Sequence, residues 1–126
     1  MSTRSTVRRF FDGVEARDVA RAAACFAPDA PYQNVPHPPV YGPAGVAGLL
    51  APIVERSQRV RWDIISEAYV PGRAHVERVD RFWIDGAEYA VACHAVITVD
   101  EDAGLITAFR DYVDLAPWRA QLTGVL

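Results

Sequence analysis

The period of the hydrophobic pattern changes once along this chain, near Val60, and that change limits the folds open to it. Before Val60 the apolar residues recur at helical spacing. Val7, Phe10, Phe11 and Val14 form one stripe, predicting a helix that ends at Gly13 or shortly after. Asp18 can cap a second helix with the face Val19, Ala22, Ala23 and Phe26, stopped before Pro28. A third helix is predicted within "GPAGVAGLLAPIVERSQ", with Pro43 suited to its first turn and Val46, Leu49, Leu50 and Ile53 on one side. Pro52 is expected to kink or shorten it. The intervening "PYQNVPHPPVYG" carries too much proline for a helix.

After Val60 the period is two. "VRWDIISEAYV", "RAHVERVDRFWI", "AEYAVACHAVITV" and "LITAFRDYVDL" read as four strands, separated by Pro71-Gly72, Asp85-Gly86 and the acidic turn "DEDAG". Helices followed by a strand meander predict an α+β domain: a curved, mostly antiparallel sheet with helices packed on one face. At 126 residues the chain is expected to be a single domain, residues 1–126, burying roughly two thirds of its unfolded surface.

Several function classes fall away on composition. The net charge is −3 and there is no basic stripe, so nucleic acid is not an expected partner. All 13 basic residues are arginine, which removes Schiff-base chemistry and lysine-based phosphate loops. No apolar run approaches the roughly 20 residues of a membrane span. The arginine-rich start, "MSTRSTVRRFF", lacks the apolar segment of a secretory signal, so a cytoplasmic protein is expected. Cys25 and Cys93 show no metal spacing and are expected as buried reduced thiols. His37 falls in the proline-rich loop, and His75 and His94 fall on strands without a partner at metal spacing; no metal site is expected.

Against this background three segments aim polar groups at apolar faces. Alternate residues of "VERVDRFWI" give Val76, Arg78, Asp80, Phe82 and Ile84, an apolar face with two opposite charges in its middle. The series Leu105, Thr107, Phe109, Asp111 and Val113 repeats the pattern with one carboxylate. Tyr32 and Asn34 point the same way if their segment is extended. Burying a charge costs several kcal/mol unless it is paired, so chance placement is disfavoured. Arg78 between Asp80 and Asp111 could be a structural ion pair. The same groups could also be an acid–base pair. Two carboxylates about 5 Å apart repel by roughly 3 kcal/mol at an effective dielectric of about 20, so one would keep its proton near neutral pH. Tyr32 and Asn34 could then hold a water against the other. Such a site suits the opening of an epoxide by water, with no cofactor and no covalent intermediate.

The segments "YQNVPHPPVYG", "ERVDRFW" and "FRDYVDL" together resemble the limonene-1,2-epoxide hydrolase family, within the nuclear-transport-factor-like (SnoaL-like) α+β cone fold. The resemblance runs from about Tyr32 to Leu115. It implies a cone-shaped mixed sheet with the helices over its concave face, and a one-step hydrolysis of an epoxide to a vicinal diol without metal or cofactor. It also implies roles: Asp111 as the base toward water, Tyr32 and Asn34 positioning that water, Asp80 as the acid toward the epoxide oxygen, and Arg78 bridging both. Members are usually homodimers, and here Trp83, Arg110, Tyr112 and Asp114 are candidates for a sheet-face contact. The expected substrate is a small or medium apolar epoxide, cyclic or terpenoid-like. Its expected pocket lining is Val35, Leu49, Ile53, Trp62, Ile64, Phe82, Phe109 and Val113. A ketosteroid-isomerase-like or polyketide-cyclase-like enzyme of the same fold is the alternative, as is a non-catalytic binding domain.

Overall fold

The computed structural model describes residues 1–126 as four helices and one six-stranded sheet. Helix α1 spans Thr3–Glu15, with Ser2 capping it through the Ser5 N–H. Helix α2 spans Val19–Ala23, and the Asp18 side chain accepts from the Arg21 N–H as an N-cap should. Strands β1 (Pro31–Val35) and β2 (Val40–Tyr41) lead into α3, Gly42–Arg56. Gly42 starts that helix at φ +67°, and a Cβ there would sit 2.3 Å from the Pro28 carbonyl oxygen, so only glycine fits. Strands β3 (Arg59–Val70), β4 (Arg73–Ile84), β5 (Ala87–Asp100) and β6 (Leu105–Val113) follow as an antiparallel meander. The β4–β5 hairpin turns on Asp85 and Gly86, both at positive φ as a tight two-residue turn requires.

The sheet order is β2-β1-β6-β5-β4-β3, with β1 parallel to β6. The result is a curved, mostly antiparallel, unclosed sheet, its inner face covered by helices. Phe10 and Phe11 of α1 enter an aromatic core with Phe26, Tyr32, Trp62 and Phe109. Cys25 and Cys93 are both buried and free.

Three expectations change. First, α3 runs through Pro52 without shortening. Pro52 and the carbonyl-bearing Gly48 both lie on the exposed side of the helix, where a carbonyl that loses its N–H partner can be hydrated. Second, β6 carries one extra residue, because Thr98 pairs with Ala108 while Val99 pairs with Ile106. This bulge turns Leu105 and Thr107 off the inner face and puts Ile106 there, fully buried; Phe109 and Asp111 keep the predicted orientation. Third, the strand ends at Val113, and Leu115–Leu122 form a helix, α4. Asp114 before that helix and Pro117 in its first turn are recognisable start signals.

Candidate active site

Arg78, Asp80 and Asp111 meet on the inner face of the sheet. Arg78 and Asp80 are two apart on β4, whose inner face alternates regularly from Ala74 to Ile84. Asp111 lies two strands away, and adjacent strands are separated by about 4.8 Å, so only a long side chain can span the gap. Arg78 reaches it because β5 offers only small groups in between: Cys93 opposite Arg78 and Ala95 opposite Asp111.

The guanidinium touches every carboxylate oxygen of both partners. Its Nε and Nη2 donate to Asp80 Oδ1 at 2.8 Å and Oδ2 at 3.1 Å. Its Nη1 donates to Asp111 Oδ1 at 3.1 Å, and Nη2 also bonds Asp111 Oδ2. Trp62 and Phe11 lie against it, their ring centroids 4.7 and 5.2 Å from the guanidinium carbon. Arg78 has no exposed surface, and Asp111 is 2% and Asp80 6% exposed. Two negative charges and one positive charge are thus enclosed, which leaves one negative charge for a proton to neutralise.

The electrostatics favour Asp80 as the proton's holder. Burial raises its pKa more than Arg78 lowers it, and Asp111 pushes the same way as burial, to a value of about 7. Burial opposes the charge on Arg78, but Asp111 and Asp80 outweigh it and raise its pKa well above the ordinary value. The Tyr32 phenol is likewise raised, by burial and then by the Asp111 charge, so it stays a neutral donor. Cys93, beneath the carboxylates, is held as a thiol chiefly by burial. Asp80, Cys93 and Asp111 each bring a ligand atom within 4.8 Å of the others, but Arg78 already fills the space between the carboxylates.

Asp80 binds its proton more tightly in the folded state than in the unfolded chain, so its contribution to stability is complete below about pH 4 and is lost as pH rises to about 7. Unfolding by urea at pH 4.5 and 8 should show a decline in the parent, up to about 4 kcal/mol, that Asp80→Asn flattens. An unaltered pH slope in that variant would remove the shift from Asp80.

β1 lies parallel to β6, placing Asn34 in register with Asp111 and Tyr32 with Phe109. Tyr32, Asn34, Asp80 and Asp111 are the polar residues of a cavity of about 220 Å³. Five of the expected lining residues are there: Leu49, Ile53, Trp62, Phe82 and Val113. Val35, Ile64 and Phe109 are not. Phe109 is fully buried in the aromatic core, Ile64 lines a separate polar groove beside α1, and Val35 is half-buried near the end of β1. Leu50 and Pro52 of α3 and Val91 of β5 complete one wall. Leu115, Trp118, Leu122 and Leu126 form another that the sequence reading missed, because α4 was not recognised.

On the opposite sheet face Arg110 and Tyr112 are exposed, and His75 and His94, far apart in sequence, come to a ring separation of 5.8 Å. No helix is long and apolar enough to cross a membrane.

Comparison with known structures agrees on the fold. An epoxide hydrolase of the limonene-epoxide-hydrolase-like type from M. tuberculosis is 24% identical, with a TM-score of 0.77 over 94% of this chain and 83% of that one. A Catenulispora acidiphila protein with a ketosteroid isomerase-like fold is 18% identical, with a TM-score of 0.79 over 96% and 93%. A Xanthomonas campestris pv. campestris protein assigned as a polyketide cyclase is 22% identical, with a TM-score of 0.78 over 94% and 95%. The SnoaL-like domain model matches residues 7–109, most of the helical layer and the sheet down to Phe109, and the chain belongs to that family.

Proposed function

We propose that this protein is a cofactor-independent epoxide hydrolase that adds water in one step to a small or medium apolar epoxide. The observation that carries the reading is the enclosed Asp80–Arg78–Asp111 cluster, both of whose carboxylates open, beside Tyr32 and Asn34, onto a mainly apolar cavity. Asp111 removes a proton from a water held by Tyr32 and Asn34. The water oxygen attacks one epoxide carbon as the carbon–oxygen bond breaks, and Asp80 delivers its proton to the departing oxygen. The product is a vicinal diol, and transfer of a proton from Asp111 back to Asp80 through solvent resets the pair. A carboxyl group that titrates near neutral pH is suited to this acid role. Arg78 keeps the second carboxylate ionised beside the first, which a site working through one carboxylate, as for an isomerase or cyclase, would not need.

The reading extends to a cytoplasmic homodimer, joined through the outer sheet face. Support for that face is its exposed Tyr112 and Arg110 on β6, with the half-buried Trp83 farther along the same face on β4.

The direct test is diol formation from limonene oxide, cyclohexene oxide, styrene oxide and a linear alkyl epoxide. Diol lost on Asp111→Asn and Asp80→Asn supports the assignment; a folded protein that forms none overturns it. The pH dependence is a second check. Turnover should fall above about pH 7 as Asp80, coupled to its neighbouring carboxylate, loses its proton. A flat profile between about pH 5 and 9, with chemistry rate-limiting, would contradict the acid–base assignment.

A further inference from the structure

We infer that residues 115–126 form a latched lid over the cavity, and that Trp118 on it selects for the hydrocarbon end of the substrate. The selectivity rests on the reading of the cavity as the active site; the lid itself does not. Leu115, Trp118 and Leu122 recur at helical spacing on one face of α4, are half-buried, and line the cavity together with Leu126. No residue of α4 is buried, unlike every other helix of the fold, so packing holds it weakly.

Its attachments are few and local. Strand β5 runs past the end of β6, whose last pairing is Val113 with Cys93, and the backbone of Ala90 beyond that point would face open space. Gln121 fills the gap. The Ala90 N–H donates to Gln121 Oε1 at 3.1 Å, and Gln121 Nε2 donates to the Ala90 carbonyl at 2.8 Å. The exposed amide thus takes the place of a missing strand. Trp118 packs against Phe82 with the rings tilted by 41° and their centroids 5.7 Å apart, and Arg119 meets His37 at 3.0 Å. The Gln121 and Arg119 contacts lie at the surface and can break without exposing a core residue, while opening at Trp118 would uncover Phe82, a residue of the core that also lines the cavity.

The placement also orders the substrate. All polar lining residues lie at the sheet end, on β1, β4 and β6, while the lid contributes only apolar side chains. A bound molecule therefore has its oxygen toward Asp80 and its hydrocarbon end against Trp118, Leu122 and Leu126.

Two measurements test this. Amide hydrogen exchange of the full chain should show residues 115–122 exchanging at least about tenfold faster than β6, and Gln121→Ala should speed exchange at Ala90 and through α4 while leaving β6 alone. Protection of α4 equal to that of β6 would make it a fixed wall and overturn the lid, whatever the protein's activity. Steady-state kinetics on 1,2-epoxybutane, 1,2-epoxyhexane and 1,2-epoxydecane should then show Trp118→Ala lowering kcat/KM about tenfold more for the decane than for the butane, mainly through KM. A loss uniform across the three overturns the selectivity. Absence of turnover by the parent on all three would reject the epoxide reading and the selectivity with it, and leave the lid to be decided by exchange alone.

Discussion

Asp111→Asn should lower epoxide turnover by about three orders of magnitude while the protein stays folded. The amide has the carboxylate's shape and can still accept from Arg78 Nη1, but it cannot take a proton from water. With Asp111 uncharged, Asp80 can ionise against Arg78, so the enclosed cluster still balances its charge and the fold has no electrostatic reason to fail. Asp80→Asn should cost a comparable factor for the complementary reason, since an amide cannot deliver a proton to a leaving oxygen. The double variant should lose little more than either single one, because the two groups act in the same bond-making and bond-breaking step. Diol formation under saturating cyclohexene oxide, with circular dichroism to confirm folding, would check all three. Activity above about a tenth of the parent in Asp111→Asn would remove the base from that position.

Much of the site could be read from strand periodicity because β4 is regular throughout. Its alternation from Ala74 to Ile84 is unbroken, so the inward aim of Arg78 and Asp80 was legible from spacing alone. Asp111 was legible too, though by a narrower margin. The β6 bulge falls near Thr107, before Phe109, and a shift two residues later would have turned the carboxylate to solvent. Bulges depend on pairing between strands, and nothing in "LITAFRDYV" marks one. What linked the clusters was less visible. That Cys93 and Ala95 are small because Arg78 passes over them follows from the register of three strands. The cavity wall was half legible for a similar reason: Leu49 and Ile53 follow from the α3 stripe, whereas Trp118 and Leu122 belong to a helix that buries nothing and so leaves a weak apolar pattern. Phe109 was misplaced because periodicity assigns a face and not a depth.

Arg78→Met should destabilise the protein by about 3–5 kcal/mol at pH 7.5, the largest stability effect expected of any single substitution here. It leaves two carboxylates enclosed within one cluster, without the guanidinium that bonds all four of their oxygens. The loss should shrink as pH falls toward 4.5, where protonation relieves the repulsion. The informative comparison is the combined variant R78M/D80L/D111L. If the cluster were a structural clasp, replacing all of it would be at least as damaging as removing the arginine. Buried ion pairs generally do not behave so: their desolvation cost roughly cancels their attraction, and apolar residues of similar volume often match or exceed their stability. The combined variant should therefore recover most of what Arg78→Met loses, measured by urea unfolding, while forming no diol. Recovery of stability without activity would mean that the three charges contribute little to folding as a set and are costly to break singly. An arrangement with that signature is explained by its chemistry. A combined variant as unstable as Arg78→Met would instead make the ion pair a clasp between β4 and β6, and the acid–base reading would lose its main support.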